Sequence, residues 1–121
     1  MPALPAALLS PVLVFIGGGL GALLRYIAAL AVGGPLATFT VNLAGSFAIG
    51  LLAAMIPPDA TQLRLFFMTG VLGGFTTFSA FSLDAIGLYQ RGQPGAALAY
   101  VAASVLLSLA AAAAGLSLAR A

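Results

Sequence analysis

Gly70-Val71-Leu72-Gly73-Gly74-Phe75-Thr76-Thr77-Phe78-Ser79-Ala80-Phe81-Ser82 is the stretch on which the reading of this chain turns. It sits inside an apolar run from about residue 61 to residue 89. Such a run is a membrane span, because a helix needs roughly 20 apolar residues to cross a hydrocarbon core of about 30 Å. The Gly pair followed by Thr-Thr weakens a helix at mid-span. Unwound backbone at that depth is tolerated only where it is buried in protein or lines a cavity. Two readings stand. One is a broken helix whose freed carbonyls are hard oxygen ligands suited to a cation such as Na⁺. The other is a continuous helix with a glycine packing notch. Phe75, Phe78 and Phe81 recur every third residue and share one side of the helix. A phenylalanine stripe ordinarily packs, but the positive edge of each ring can also contact a dehydrated anion without gripping it as a full charge would.

Working outward, three further apolar runs cover about residues 8–32, 36–56 and 95–119. They are separated by Gly33-Gly34-Pro35, Pro57-Pro58-Asp59 and Gln90-Arg91-Gly92-Gln93-Pro94, all turn chemistry. The composition agrees. Of 121 residues, 63% are hydrophobic and 5% are charged, against about a quarter charged in a soluble domain. The expectation is an all-α integral membrane protein of four transmembrane helices, with residues 1–121 forming a single domain. The first run lacks a Lys/Arg leader and is longer than a signal-peptide core, so it is read as a span.

The same arithmetic removes whole classes of function. Cys and His are absent, and Asp59 and Asp84 are the only acids. Thiol chemistry, the usual metal ligands and most acid–base machinery go with them, and no nucleophile–base pair can be assembled. A net charge of +2 is too small and dispersed for a nucleic-acid partner. Across four spans, Arg64 and Arg120 fall on one side, and Arg25 and Arg91 on the other. The positive-inside rule then gives no preferred orientation. Insertion both ways, with an antiparallel dimer, is the expectation.

Polar residues mark helix faces. In the first run, Gly17 and Gly21 make a small-xxx-small face for close helix approach. The match of Gly17, Gly19 and Ala22 to a dinucleotide fingerprint has neither the strand nor the acidic residue such a site needs. Arg25 either snorkels to the headgroups or forms a cationic vestibule that draws anions to a pore mouth. Thr38, Asn42 and Ser46 recur every four residues on one face of the second run. Asn42 is either a helix-packing contact or a pore ligand, since its amide cannot satisfy itself within the helix. In the fourth run Tyr100, Ser104 and Ser108 form one hydroxyl column. Three stripes of neutral donors suggest an anion path, since a cation path would carry acidic rings. Asp84 is read as a helix-end carboxylate in water or as a vestibule group near Arg91.

At residues 17–26 (GGGLGALLRY), 41–50 (VNLAGSFAIG) and 73–82 (GGFTTFSAFS) the sequence resembles the Fluc (CrcB) family of bacterial fluoride channels. The likeness covers essentially the whole chain, and the last motif is highly specific. It implies a multi-pass protein of the bacterial inner membrane that exports fluoride through an inverted homodimer. Each dimer would carry two fluoride pathways and a central structural sodium ion. By motif position, Gly73 and Thr76 would give carbonyls to the sodium. Phe78 and Phe81 would line the pore, Asn42 would be its amide, Tyr100, Ser104 and Ser108 its polar track, and Arg25 its vestibule. The chain departs from the family pattern at Ala37, Ala80 and Asp84, where Gly, Thr and Glu are usual. A small multidrug exporter, also a four-span dual-topology dimer, would need a carboxylate that the first two spans lack. A non-conducting assembly subunit would use the glycine faces for packing alone. If residue 77 were Pro, the sequence predicts severe damage through restriction of Thr76.

Overall fold

The computed structural model describes residues 5–121. It contains α1 (Ala6–Val32), α2 (Gly34–Met55), α3 (Thr61–Arg64), a π-helical stretch (Leu65–Leu72), α4 (Gly73–Phe75), α5 (Phe78–Gln90) and α6 (Pro94–Arg120). Among the described residues, four segments are long and apolar enough to cross a membrane: α1, α2, the composite third span Thr61–Gln90, and α6. The chain is a multi-pass membrane protein. The turns are tighter than the breakers alone suggest. Gly33, at φ 76°, is the whole connection between α1 and α2.

Helix pairing does not follow chain order. α2 packs chiefly on α6, while α1 packs chiefly on the π-helical stretch and α4. In a bilayer, helices associate through close packing and interhelical hydrogen bonds rather than through apolar burial. The glycines supply that closeness. A Cβ at Gly21 would overlap the carbonyl of Val71, and one at Gly74 would overlap the carbonyl of Gly18. The α2–α6 seam is built the same way, with Gly50 against the Ala112 carbonyl and Gly115 against the Phe47 carbonyl.

The seam gives a direct test. Gly21→Ala should destabilise the protein by about 3 kcal/mol, since the obstructing atoms are backbone and cannot rotate away. Gly19→Ala, with nothing within 4 Å of its added Cβ, should leave stability unchanged or slightly raised. Thermal melts of the two purified variants check this, and equal melting temperatures would refute the seam.

Two arginines are fastened to carbonyls rather than left in solvent. Arg64 donates to Pro57 O at 3.2 Å, Ala53 O at 3.0 Å and Ile56 O at 2.7 Å. One guanidinium thus caps the end of α2, where helix carbonyls lack partners and the dipole is negative. Arg25 donates from Nε to Gly74 O at 3.1 Å. It therefore lies against the end of the upstream half of the third span.

Candidate functional site

The third span is broken. Thr76 (φ −89°, ψ 155°) and Thr77 (φ −150°, ψ 119°) are extended between the end of α4 and the start of α5. The break thus decides against a continuous helix. Its hydrogen bonds are rebuilt by side chains. Asn42 on α2 donates from Nδ2 to Thr77 O at 2.9 Å and accepts the Thr77 N–H on Oδ1 at 2.8 Å. Thr77 Oγ1 accepts the Ala80 N–H at 3.1 Å, the N-cap that starts α5.

The break releases the carbonyls of residues 73–76, of which Gly74 O is taken by Arg25. In an unbroken helix the N–H of residue 77 would bond Gly73 O, and that of residue 80 would bond Thr76 O. Here the first goes to Asn42 and the second to Thr77 Oγ1. Gly73 and Thr76 are thereby left without their helical donors. Carbonyl oxygens so released are the donor set a hard monovalent cation requires, so the residues fit a sodium ion. Gly73 is also exposed in the single chain. Among the described residues no three His, Cys, Asp or Glu side chains gather, so carbonyl dipoles would carry such a site.

Beside the break lies a groove of about 450 Å³ lined by Asn42, Ser46, Gly73, Thr76, Thr77, Phe78, Phe81, Ser104 and Ser108, among apolar neighbours. It brings together residues from α2, the break, α5 and α6 that were picked from separate stretches of sequence. Asn42 fulfils the packing role and lines the groove as well. Phe78 is 77% exposed toward the open side and Phe81 only 8%, so the two rings differ in what they can meet. Their centroids stand 5.4 Å apart at an interplanar angle of 59°. Ser104 Oγ is buried with no hydrogen-bond partner among the described residues. An unmet hydroxyl of that kind is costly unless something else uses it.

Two selected residues stand off the groove. Tyr100 stacks on Phe81 at 5.4 Å and fixes that ring from behind. Its hydroxyl donates to Asp84 Oδ2 at 3.4 Å, and Thr38 Oγ1 donates to the same oxygen at 2.7 Å. Asp84 therefore ties α2, α5 and α6 together. Arg25 lines a separate hollow of about 110 Å³ with Thr38, Thr77 and Ala80 on the other side of the break. The part played by Thr77 was not read from sequence; its place beside a Gly-Gly-Phe-Thr run in mid-span is the one signal that marks it.

The chain is 54% identical over 113 residues to the fluoride-specific ion channel FluC of Rhodospirillum centenum, covering 86% of this chain and 90% of that one. It is 49% identical to the fluoride-specific ion channel FluC of Rhodopseudomonas palustris, covering 90% and 95% of the two chains. With the protein of the same description from Paracoccus denitrificans the identity is 50%, over 88% and 91%. The model of the family described as CrcB-like protein, Camphor Resistance (CrcB), matches residues 12–116. With its broken third span and glycine seams inside that match, the chain belongs to the CrcB-like family.

Proposed function

We propose that this protein is a passive fluoride channel, a transporter rather than an enzyme, that lets fluoride leave the cytoplasm of a bacterium across its inner membrane. The observation that carries the reading is the single groove that unites Asn42, Ser104, Ser108, Phe78 and Phe81 without one charged side chain in its lining. Fluoride is small and strongly hydrated, so a pore must replace its water. Neutral amide, hydroxyl and ring-edge donors do so in several weak sites, which permits exit as well as entry. The N-terminus of α5 adds its positive dipole end at the break. A negative-inside potential drives the anion outward by about 2.3 kcal/mol per 100 mV. The names carried by the relatives support fluoride as the ion.

The working unit is a homodimer of oppositely inserted copies with two pores. At its centre the released carbonyls of Gly73 and Thr76 of each copy would hold a sodium ion, which would supply positive charge between the two breaks. The exposure of Gly73 in the single chain supports this, because a second copy can approach the backbone there.

Liposomes holding the purified protein should release fluoride far faster than chloride under the same gradient, and equal rates would defeat the channel reading. For the inverted dimer, a C-terminal tag should be found on both faces of the cell membrane, because two arginines lie on each side. A tag confined to one face counts against it.

A further inference from the structure

We infer that Asn42 and Thr77 are positioning residues for the sodium site: their side chains take the N–H groups that would otherwise close onto the Gly73 and Thr76 carbonyls. The inference rests on the sodium reading above and adds a coupling to it. The anion groove and the cation site share one peptide, that of Thr77, and Asn42 touches both.

The geometry is specific about which atom does what. Asn42 Oδ1 accepts the Thr77 N–H at 2.8 Å in place of Gly73 O, and so stabilises the extended Thr76–Thr77 backbone that carries the N–H away from that carbonyl. Asn42 Nδ2 donates to Thr77 O at 2.9 Å and leaves its second hydrogen for the groove. Thr77 Oγ1 holds the Ala80 N–H at 3.1 Å and spares Thr76 O. Without these acceptors, a released N–H at membrane depth has one nearby remedy, the helical carbonyl four residues back. The helix re-closes and the ion loses its ligands. The two side chains therefore hold the break open, and the ion does not have to compete with a helical hydrogen bond.

The amide ends separate the two roles. Asn42→Asp keeps the acceptor on Thr77 N–H but puts a negative charge in an anion path. It should abolish fluoride flux while keeping the sodium response. Asn42→Leu keeps the approximate volume and removes both ends, so it should lose both. Thr77→Val removes the Oγ1 acceptor and Thr77→Ser restores it.

The test is a sodium titration of the melting temperature of the full-length protein in nanodiscs, at constant ionic strength with N-methylglucamine as the replacement cation. Ligand binding to the folded state stabilises it by RT ln(1 + [L]/Kd), so the sodium concentration at which the melting temperature begins to climb reports Kd without any flux measurement. Asn42→Leu and Thr77→Val should need at least about tenfold more sodium than the wild type, which corresponds to one decade in binding constant. Thr77→Ser and Asn42→Asp should titrate within about threefold of the wild type or tighter. If Asn42→Leu does not fold, the Thr77→Val and Thr77→Ser pair decides alone. A wild-type melting temperature indifferent to sodium overturns the sodium reading and this inference together. A responsive wild type whose Thr77→Val variant titrates identically overturns the inference alone, and Asn42→Asp losing the response shows that the intact amide, not its acceptor, is needed and overturns the assignment to Oδ1.

Discussion

Fluoride efflux through the Asn42→Ala protein will fall about thirtyfold to a hundredfold, because the change deletes two hydrogen bonds of about 1–1.5 kcal/mol each and each 1.4 kcal/mol is tenfold. Both bonds end on Thr77, at N–H and at C=O. Their loss strips the groove of its amide and lets the break relax. The measurement is fluoride efflux from liposomes at matched protein density, with folding checked by gel filtration. Flux within a factor of about three of the wild type would return Asn42 to plain helix packing.

Thr77→Pro will have a still larger effect: no assembled channel. The sequence-based reason, restriction of Thr76, does not hold. Thr76 already lies at φ −89°, ψ 155°, the conformation a following Pro prefers. The damage comes from position 77 itself. Its φ of −150° is far from the −65° that a Pro ring imposes. Its N–H, which Asn42 accepts, would be gone, as would the Oγ1 that caps α5. These losses fall within one residue and together take several kcal/mol from a fold held by about 5–15 kcal/mol, so recovery of folded protein should drop below about a tenth of the wild type. Thr76→Ser is the control, since its backbone carbonyl survives. Normal yield and flux from Thr77→Pro would mean the break does not depend on this peptide.

The spans were legible because Gly and Pro leave discrete marks. Each predicted span lies within a residue or two of its helix, from α1 ending at Val32 to α6 beginning at Pro94. The break was legible for a similar reason: Gly73-Gly74 followed by Thr76-Thr77 is poor helix sequence. The π-helical stretch Leu65–Leu72 was not: its weakest helix residue, Gly70, reads as a packing notch, and Gly70 does lie against Gly17 of α1. Nor was the grip of Asn42 on Thr77, which joins atoms 35 residues apart and has no periodic signature. Arg25 was left between lipid headgroups and vestibule. Its hydrogen bond to Gly74 O across 49 residues has no sequence signal either; it forms because a helix end offers a free carbonyl beside the hollow that Arg25 lines. Of the stripes at every fourth residue, Asn42, Ser46, Ser104 and Ser108 line one groove, while Thr38 and Tyr100 meet on the Asp84 carboxylate beside it.

Arg64 also sets an order of events during synthesis. Its three carbonyl partners lie only 7, 8 and 11 residues away along the chain. Closing so short a loop costs little entropy, and the cost grows with loop length. The second and third spans can therefore fasten into a hairpin as soon as the first turn of the third emerges from the ribosome. α1 must wait: its glycine seam has no partner until the π-helical stretch and α4 are made. Nascent chains stalled once Arg64 has cleared the ribosome, but before the π-helical stretch has, should already hold α2 capped while the glycine seam of α1 is still unpaired.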